Sequence, residues 1–164
     1  MKNKVYKLFV IVISMGIITA CELDDPEIEY TAVTELSGEW YVQYEYQETD
    51  GSWTNPHWGY YTVITSNTAD NSEAEMLIND TEGWGTMYKV TVNGFNFSAT
   101  EASELSGGSA NVTVTNGIVI QDGGLSTSGV VTDSIHFEFV QPDDDPTVYR
   151  ASGVRRTGFL EDEH

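Results

Sequence analysis

From about residue 38 onward, apolar and polar side chains alternate with a period of two. Trp40, Val42, Tyr44 and Tyr46 fall on one side, and Tyr41, Gln43, Glu45 and Gln47 on the other. Such alternation predicts a half-buried strand. Trp58, Tyr60, Thr62 and Ile64 continue the pattern, as do Ala74, Met76 and Ile78. Met87 to Val92 predicts a further strand, Asn93-Gly94 a tight turn, and Phe95, Phe97 and Ala99 the return. Asn-Gly supplies the positive φ angles that two-residue hairpin turns require. Val112 to Thr115, Asn116-Gly117 and Ile118 to Gln121 predict a second hairpin of the same kind. Ile135, Phe137 and Phe139 form an apolar face opposite His136 and Glu138, and Val148 to Arg156 is the last strand. The only helix candidate is Thr100 to Leu105. Many short strands between Gly, Asn, Asp and Pro predict one all-β domain. A single antiparallel barrel of about eight strands is expected over residues 35–164, with a sandwich as the alternative. Closure removes edge strands, and a small barrel of that size can hold one ligand or be filled by its own side chains.

The first twenty residues follow a different pattern. Lys2, Lys4 and Lys7 form a basic head, an apolar run follows from Leu8 to about Ala20, and Cys21 ends it. This is the layout of an export signal, and the run is shorter than the roughly 20 residues of a membrane span. Ile18-Thr19-Ala20-Cys21 resembles a bacterial lipobox, which implies cleavage before Cys21 and lipidation of its thiol. Cys21 is the only cysteine, so no internal disulfide can form. Two or more acyl chains anchor a protein stably. Residues 1–20 are therefore expected to be a lipoprotein signal peptide, and residues 21–34 the lipidated cysteine and an acidic tether. Glu22, Asp24, Asp25, Glu27 and Glu29 crowd into that tether, and like charges extend a linker. Glu22-Leu23-Asp24-Asp25 weakly resembles the surface-export signal of some lipoproteins. The expected location is the cell envelope, at the outer membrane, facing the periplasm or the surface.

Charge narrows the partners. Removing the leader takes three of the seven basic residues and none of the 26 acidic ones, leaving four against 26, a formal −22. That excludes nucleic acid, whose binding needs basic contacts to phosphate, and argues against docking on anionic head groups. A lipid ligand would be held by its tail. Most of the charge serves solubility.

The two ends of the domain carry the most specific signal. Gly38-Glu39-Trp40 opens the first strand, and Arg155 and Arg156 close the last. This pairing resembles the lipocalin and wider calycin barrels. The resemblance implies that Trp40 closes one end of the barrel with a basic side chain over its ring, an attraction of about 0.5–2 kcal/mol. Tyr149, Ala151, Gly153 and Arg155 share the less polar face of the last strand, so Arg155 is the arginine expected inside. Gly38-Glu39-Trp40-Tyr41-Val42, Asp133-Ser134-Ile135-His136-Phe137-Glu138 and Ser152-Gly153-Val154-Arg155-Arg156-Thr157-Gly158-Phe159, with the acidic tail Glu161-Asp162-Glu163-His164, resemble the family called lipid-binding putative hydrolase. The likeness runs from about Leu36 to His164. It implies an exported lipoprotein with a lipocalin-like barrel and a lipid as ligand class, and it brings no catalytic residue.

No nucleophile with a base stands out, and no cofactor is implied. Gly124-Leu125-Ser126-Thr127-Ser128-Gly129 is one residue too long for G-x-S-x-G and reads as a loop. His136 and Glu138 share one strand face and could orient a base, although Ile135, Phe137 and Phe139 claim the inside and leave that pair on a solvated face. His57 lies in a loop between Trp53 and Trp58, and the terminal His164 is expected to be disordered. Asp143-Asp144-Asp145, between two prolines, reads as an exposed turn more readily than a calcium loop. Asp133-Ser134-Ile135 weakly resembles a bacterial O-glycosylation acceptor. The aromatic residues are more suggestive. Tyr44, Trp58, Tyr60, Trp84, Phe97, Phe137 and Phe139 are the candidates for contact with a small apolar ligand. Two other expectations stand beside that one: a hydrolase using His136 and Glu138 or His57, and a surface module binding glycan or protein through its outer loops.

Overall fold

A computed structural model describes residues 29–108, 111–141 and 147–164. The leader, Cys21 and the tether up to residue 28 lie outside the described residues, as do Asp143, Asp144 and Asp145. The barrel forms one unit over Thr31–His164. Its strands are β1 (Gly38–Gln47), β2 (Trp53–Thr54), β3 (Tyr61–Asn67), β4 (Glu75–Asp80), β5 (Met87–Asn93), β6 (Asn96–Ser103), β7 (Asn111–Leu125), β8 (Val131–Val140) and β9 (Val148–Arg155). All pair antiparallel in the order β2-β1-β3-β4-β5-β6-β7-β8-β9, and β9 pairs back onto β1. Eight strands thus close an up-and-down barrel, while the two-residue β2 is an appendage on the far end of β1.

The seam runs from Trp40 opposite Arg155 to Tyr46 opposite Tyr149. It closes because Gly153 has no side chain: a Cβ there would sit 1.9 Å from the Tyr41 carbonyl oxygen. Alternation fills the interior. Trp40, Val42 and Tyr44 of β1, Met76 and Ile78 of β4, Tyr88 and Val90 of β5, Phe97 of β6, Val112 and Val114 of β7, and Ile135, Phe137 and Phe139 of β8 are all buried in one cluster.

Four sequence expectations need correction. Residues Thr100–Ser103 continue β6 as strand rather than opening a helix. Asn116-Gly117 does not turn the chain: β7 runs through it for 15 residues, with a bulge where the register to β8 shifts between Thr115 and Ile118. Asn116 has φ +53°, the conformation expected of a turn, used here to bend a continuous strand. In β3 the phase is opposite, since Val63 and Thr65 are the buried residues and Thr62 and Ile64 are not. Finally, Val33 is not free tether but part of the buried cluster.

The C-terminal segment also departs from expectation. His164 is ordered: its ring stacks on Tyr60 at 3.8 Å and meets Tyr41 edge-on at 5.0 Å. Tyr41 faces outward from β1, yet the returning tail covers it, and its hydroxyl donates to Glu163 at 2.6 Å. Burial, and then that bond, push the Tyr41 phenol up to about 12. Arg156 holds Glu163 and Glu39. Asp162 accepts from the Ser128 amide at 2.6 Å and from the hydroxyls of Ser128 and Thr157. These bonds outweigh the opposing effect of desolvation and lower its carboxyl to about 2.

Candidate functional site

The barrel has two unlike ends. At the end where β1 begins and β9 finishes, the Arg155 guanidinium lies over Trp40, 4.7 Å from the ring centre. Its Nη1 and Nη2 donate to the carbonyls of Ser37 and Glu35, each at 2.8 Å, and Nη2 stands 3.1 Å from Asp133. A Cβ on Gly38 would come within 3.3 Å of the guanidinium carbon, so the glycine of G-x-W makes room for it. The Trp40 indole donates to Thr65 at 2.8 Å, whose hydroxyl donates to the Leu36 carbonyl at 2.5 Å. Every polar atom of the indole is thereby served inside an apolar core.

At the opposite end, where β4 finishes and β3 and β5 begin, a cavity of about 530 Å³ opens to solvent. Tyr44, Trp58, Tyr61, Gly83, Trp84 and Tyr149 line it. Its floor depends on a buried acid. Met76, Ile78 and Asp80 are the inward positions of β4, so Asp80 occupies the last inward slot. Its carboxylate accepts from the amides of Gly83 at 2.7 Å and Trp84 at 2.8 Å, and more weakly from Glu82 at 3.3 Å. A buried carboxylate is tolerated when so satisfied. These bonds fold the turn after β4 back over the opening. Trp84 then meets Tyr44 at 5.0 Å, Phe139 at 5.2 Å and Tyr149 at 4.8 Å, in each case edge to face. Gly83 packs where a Cβ would lie 2.6 Å from an Asp80 oxygen and 3.0 Å from the Tyr44 ring. Burial, reinforced by the charge of Asp80, raises Tyr44 and Tyr88 well above the ordinary phenol value. Both phenols therefore stay neutral.

The sequence candidates separate cleanly. Tyr44, Trp58 and Trp84 line the cavity. Phe97, Phe137 and Phe139 are buried in the packed interior, with neighbouring rings 5.6–5.9 Å apart. Tyr60 lies outside, stacked on His164. Tyr61, Tyr149 and Asp80 were not candidates. Tyr149 shares the inward face with Ala151, and Asp80 follows Met76 and Ile78 in phase, so the alternation carries a signal for both.

The acid–base candidates lie elsewhere. His57 is exposed, with φ +58°. His136 Nδ1 is 2.8 Å from the Ser152 hydroxyl, and Glu138 accepts from Asn116 at 2.9 Å, both on the outer face of β8. The two residues lie opposite Ile118 and Thr115 of β7, on either side of the bulge, and opposite Ser152 and Arg150 of β9.

A closed antiparallel barrel with one end capped and an aromatic cavity at the other defines a lipocalin-like barrel suited to a small ligand. A family model described as lipid-binding putative hydrolase matches residues 25–160, and the chain belongs to that family. No curated protein matches the chain.

Proposed function

We propose that this protein is a membrane-anchored lipoprotein whose barrel takes up a lipid or other small apolar molecule at its aromatic mouth. The observation that carries the ligand half is the cavity of about 530 Å³ walled by Tyr44, Trp58, Tyr61, Trp84 and Tyr149. Ligand pockets span roughly 300–1,000 Å³ and are mostly apolar with a few polar groups. The cavity fits that description, since five of its six described lining residues are aromatic. Family membership supports the ligand class. Below the floor the side chains are packed, so the ligand sits in the mouth rather than threading the barrel. The anchor half is supported by the leader and by Cys21, with the outer membrane as the proposed location.

Native mass spectrometry of the protein extracted from membranes under mild conditions tests the ligand. The expected result is a retained small-molecule adduct that the Trp84→Ala variant loses. No adduct, together with no uptake of added lipid, would dismiss the carrier role. Metabolic labelling with an alkyne fatty acid tests the anchor: label is expected on the wild-type chain and absent from Cys21→Ser. Protease accessibility on intact cells separates a surface from a periplasmic orientation.

A further inference from the structure

We propose that the mouth cavity is an aromatic cage for an organic cation, so that its ligand carries a quaternary or tertiary ammonium group. This rests on the mouth being the ligand site and names the head group that such a ligand would bear. Five of the six described lining residues are aromatic, and none is Lys, Arg, Asp or Glu. An anionic head would find no counter-charge there. A soft cation is attracted electrostatically to ring faces.

The rings are set as walls rather than as a stack. Trp84 meets Tyr44 at 74° and Tyr149 at 60°, and Tyr61 tilts 44° from Tyr44. Trp58 stands at the rim, 51% exposed, and stacks on no other ring among the described residues. Its face is thus available to a guest.

Behind this wall sits Asp80, 4% exposed and close enough that its charge adds to burial in raising the phenol of Tyr44, a member of the cage. Its negative charge reinforces the ring faces without placing a carboxylate in the cavity. The same packing that fixes Trp84 therefore biases the site electrostatically.

The protein's own cations do not compete. Lys89, Arg150, Arg155 and Arg156 each hold a carboxylate. Three of them also lie over rings: Arg150 over Trp53 at 4.5 Å, Arg155 over Trp40 at 4.7 Å and Arg156 over Tyr41 at 5.8 Å. The four exported cations face 26 carboxylates, so the long-range field draws cations in and turns anions away.

Calorimetry on the purified protein with chain-matched amphiphiles below micelle-forming concentrations tests this. The probes are decyltrimethylammonium, decyl glucoside and decanoate, with tetramethylammonium as the chainless control, at roughly 0.15 M salt to screen surface charge. The expected result is decyltrimethylammonium binding about tenfold tighter than decyl glucoside, a ratio within the reach of cation–π attraction. Trp58→Ala, which keeps the net charge, should cut that ratio to below about threefold, and Trp58→Phe should restore much of it. Equal affinity for all three heads would overturn the cage and leave the apolar-ligand reading standing. A preference that survives in both Trp58→Ala and Tyr61→Leu would be bulk charge, and would also overturn it. Failure of every chain-bearing probe to bind would remove the apolar-ligand reading as well. Tight binding of tetramethylammonium alone would point to a free ammonium compound, and binding that needs the chain to a lipid.

Discussion

Truncating Arg155 to alanine tests the closed end of the barrel. The side chain joins three things that no backbone ladder joins: the Trp40 ring at 4.7 Å, the Glu35 and Ser37 carbonyls at 2.8 Å each, and Asp133 at 3.1 Å. A hydrogen bond to a charged group contributes about 1.5–3 kcal/mol. Both carbonyls lie near the surface and regain water on truncation, so the lower figure applies to each. The cation–π contact adds about 0.5–2 kcal/mol. The Asp133 pair, about a quarter exposed on each side, is screened and adds at most about 1 kcal/mol. Arg155→Ala should therefore cost about 4 kcal/mol. Arg155→Lys keeps a charge over the indole but cannot fork to both carbonyls, and should cost about 2 kcal/mol. Urea unfolding followed by tryptophan fluorescence measures both, and the slope should stay constant if only stability changes. A loss below about 1 kcal/mol for Arg155→Ala, or a lysine variant equal to wild type, would show that the clasp over Trp40 does not hold this end together.

Gly83→Ala places a methyl 2.6 Å from Asp80 and 3.0 Å from Tyr44; it should displace the Trp84 turn and weaken ligand binding about tenfold by titration calorimetry, and, by loosening the bonds that satisfy the buried Asp80 carboxylate, it should cost about 1–3 kcal/mol in urea unfolding. Gly153→Ala sets a methyl 1.9 Å from the Tyr41 carbonyl, a clash with backbone that no rotamer relieves, and should cost more than about 3 kcal/mol or prevent folding, read by circular dichroism and urea unfolding. Asp162, lowered from 3.8 to about 2 in the folded chain, contributes stability that is complete above about pH 5 and is lost as pH falls toward 2. The gap in urea midpoint between wild type and Asp162→Asn should close over that range. General carboxylate repulsion relaxes alike in both proteins, and a gap that persists at pH 2 would contradict the assignment.

Strand identity was legible wherever one face is apolar and the other polar. In β1, β8 and β9 the alternation alone gives the inward set, and parity in β9 gives Arg155. Legibility failed where a long-range partner decides. Asn116-Gly117 carries local turn chemistry, but whether it turns or bulges depends on the register of β8 against β7. In β3, Trp58 and Tyr60 set a false phase because they precede the strand: one sits on the cavity rim, the other under His164. The tail carries no alternation, so its closure over Tyr41 through Glu163 and Asp162 left no mark in the pattern. Half of the cavity was visible as a wealth of aromatics around residues 53–61 and at Trp84. Its organiser was not, since an Asp at the end of a strand reads as a turn residue. Only its phase with Met76 and Ile78 shows that it points inward, and only the amides of Gly83 and Trp84 make that position tolerable.

The central claim is that ligand enters at the Trp58–Trp84 end and not at the Trp40 end. Fluorescence quenching by an amphiphile with a brominated chain tests this directly, because quenching requires near contact with an indole. With Trp53 replaced by phenylalanine throughout, so that Trp40, Trp58 and Trp84 are the indoles left, replacing Trp58 and Trp84 with phenylalanine should remove the quenchable fraction, and the remaining signal from Trp40 should be insensitive to the probe. Quenching that persists undiminished in the double variant, or that falls on Trp40, would contradict the account.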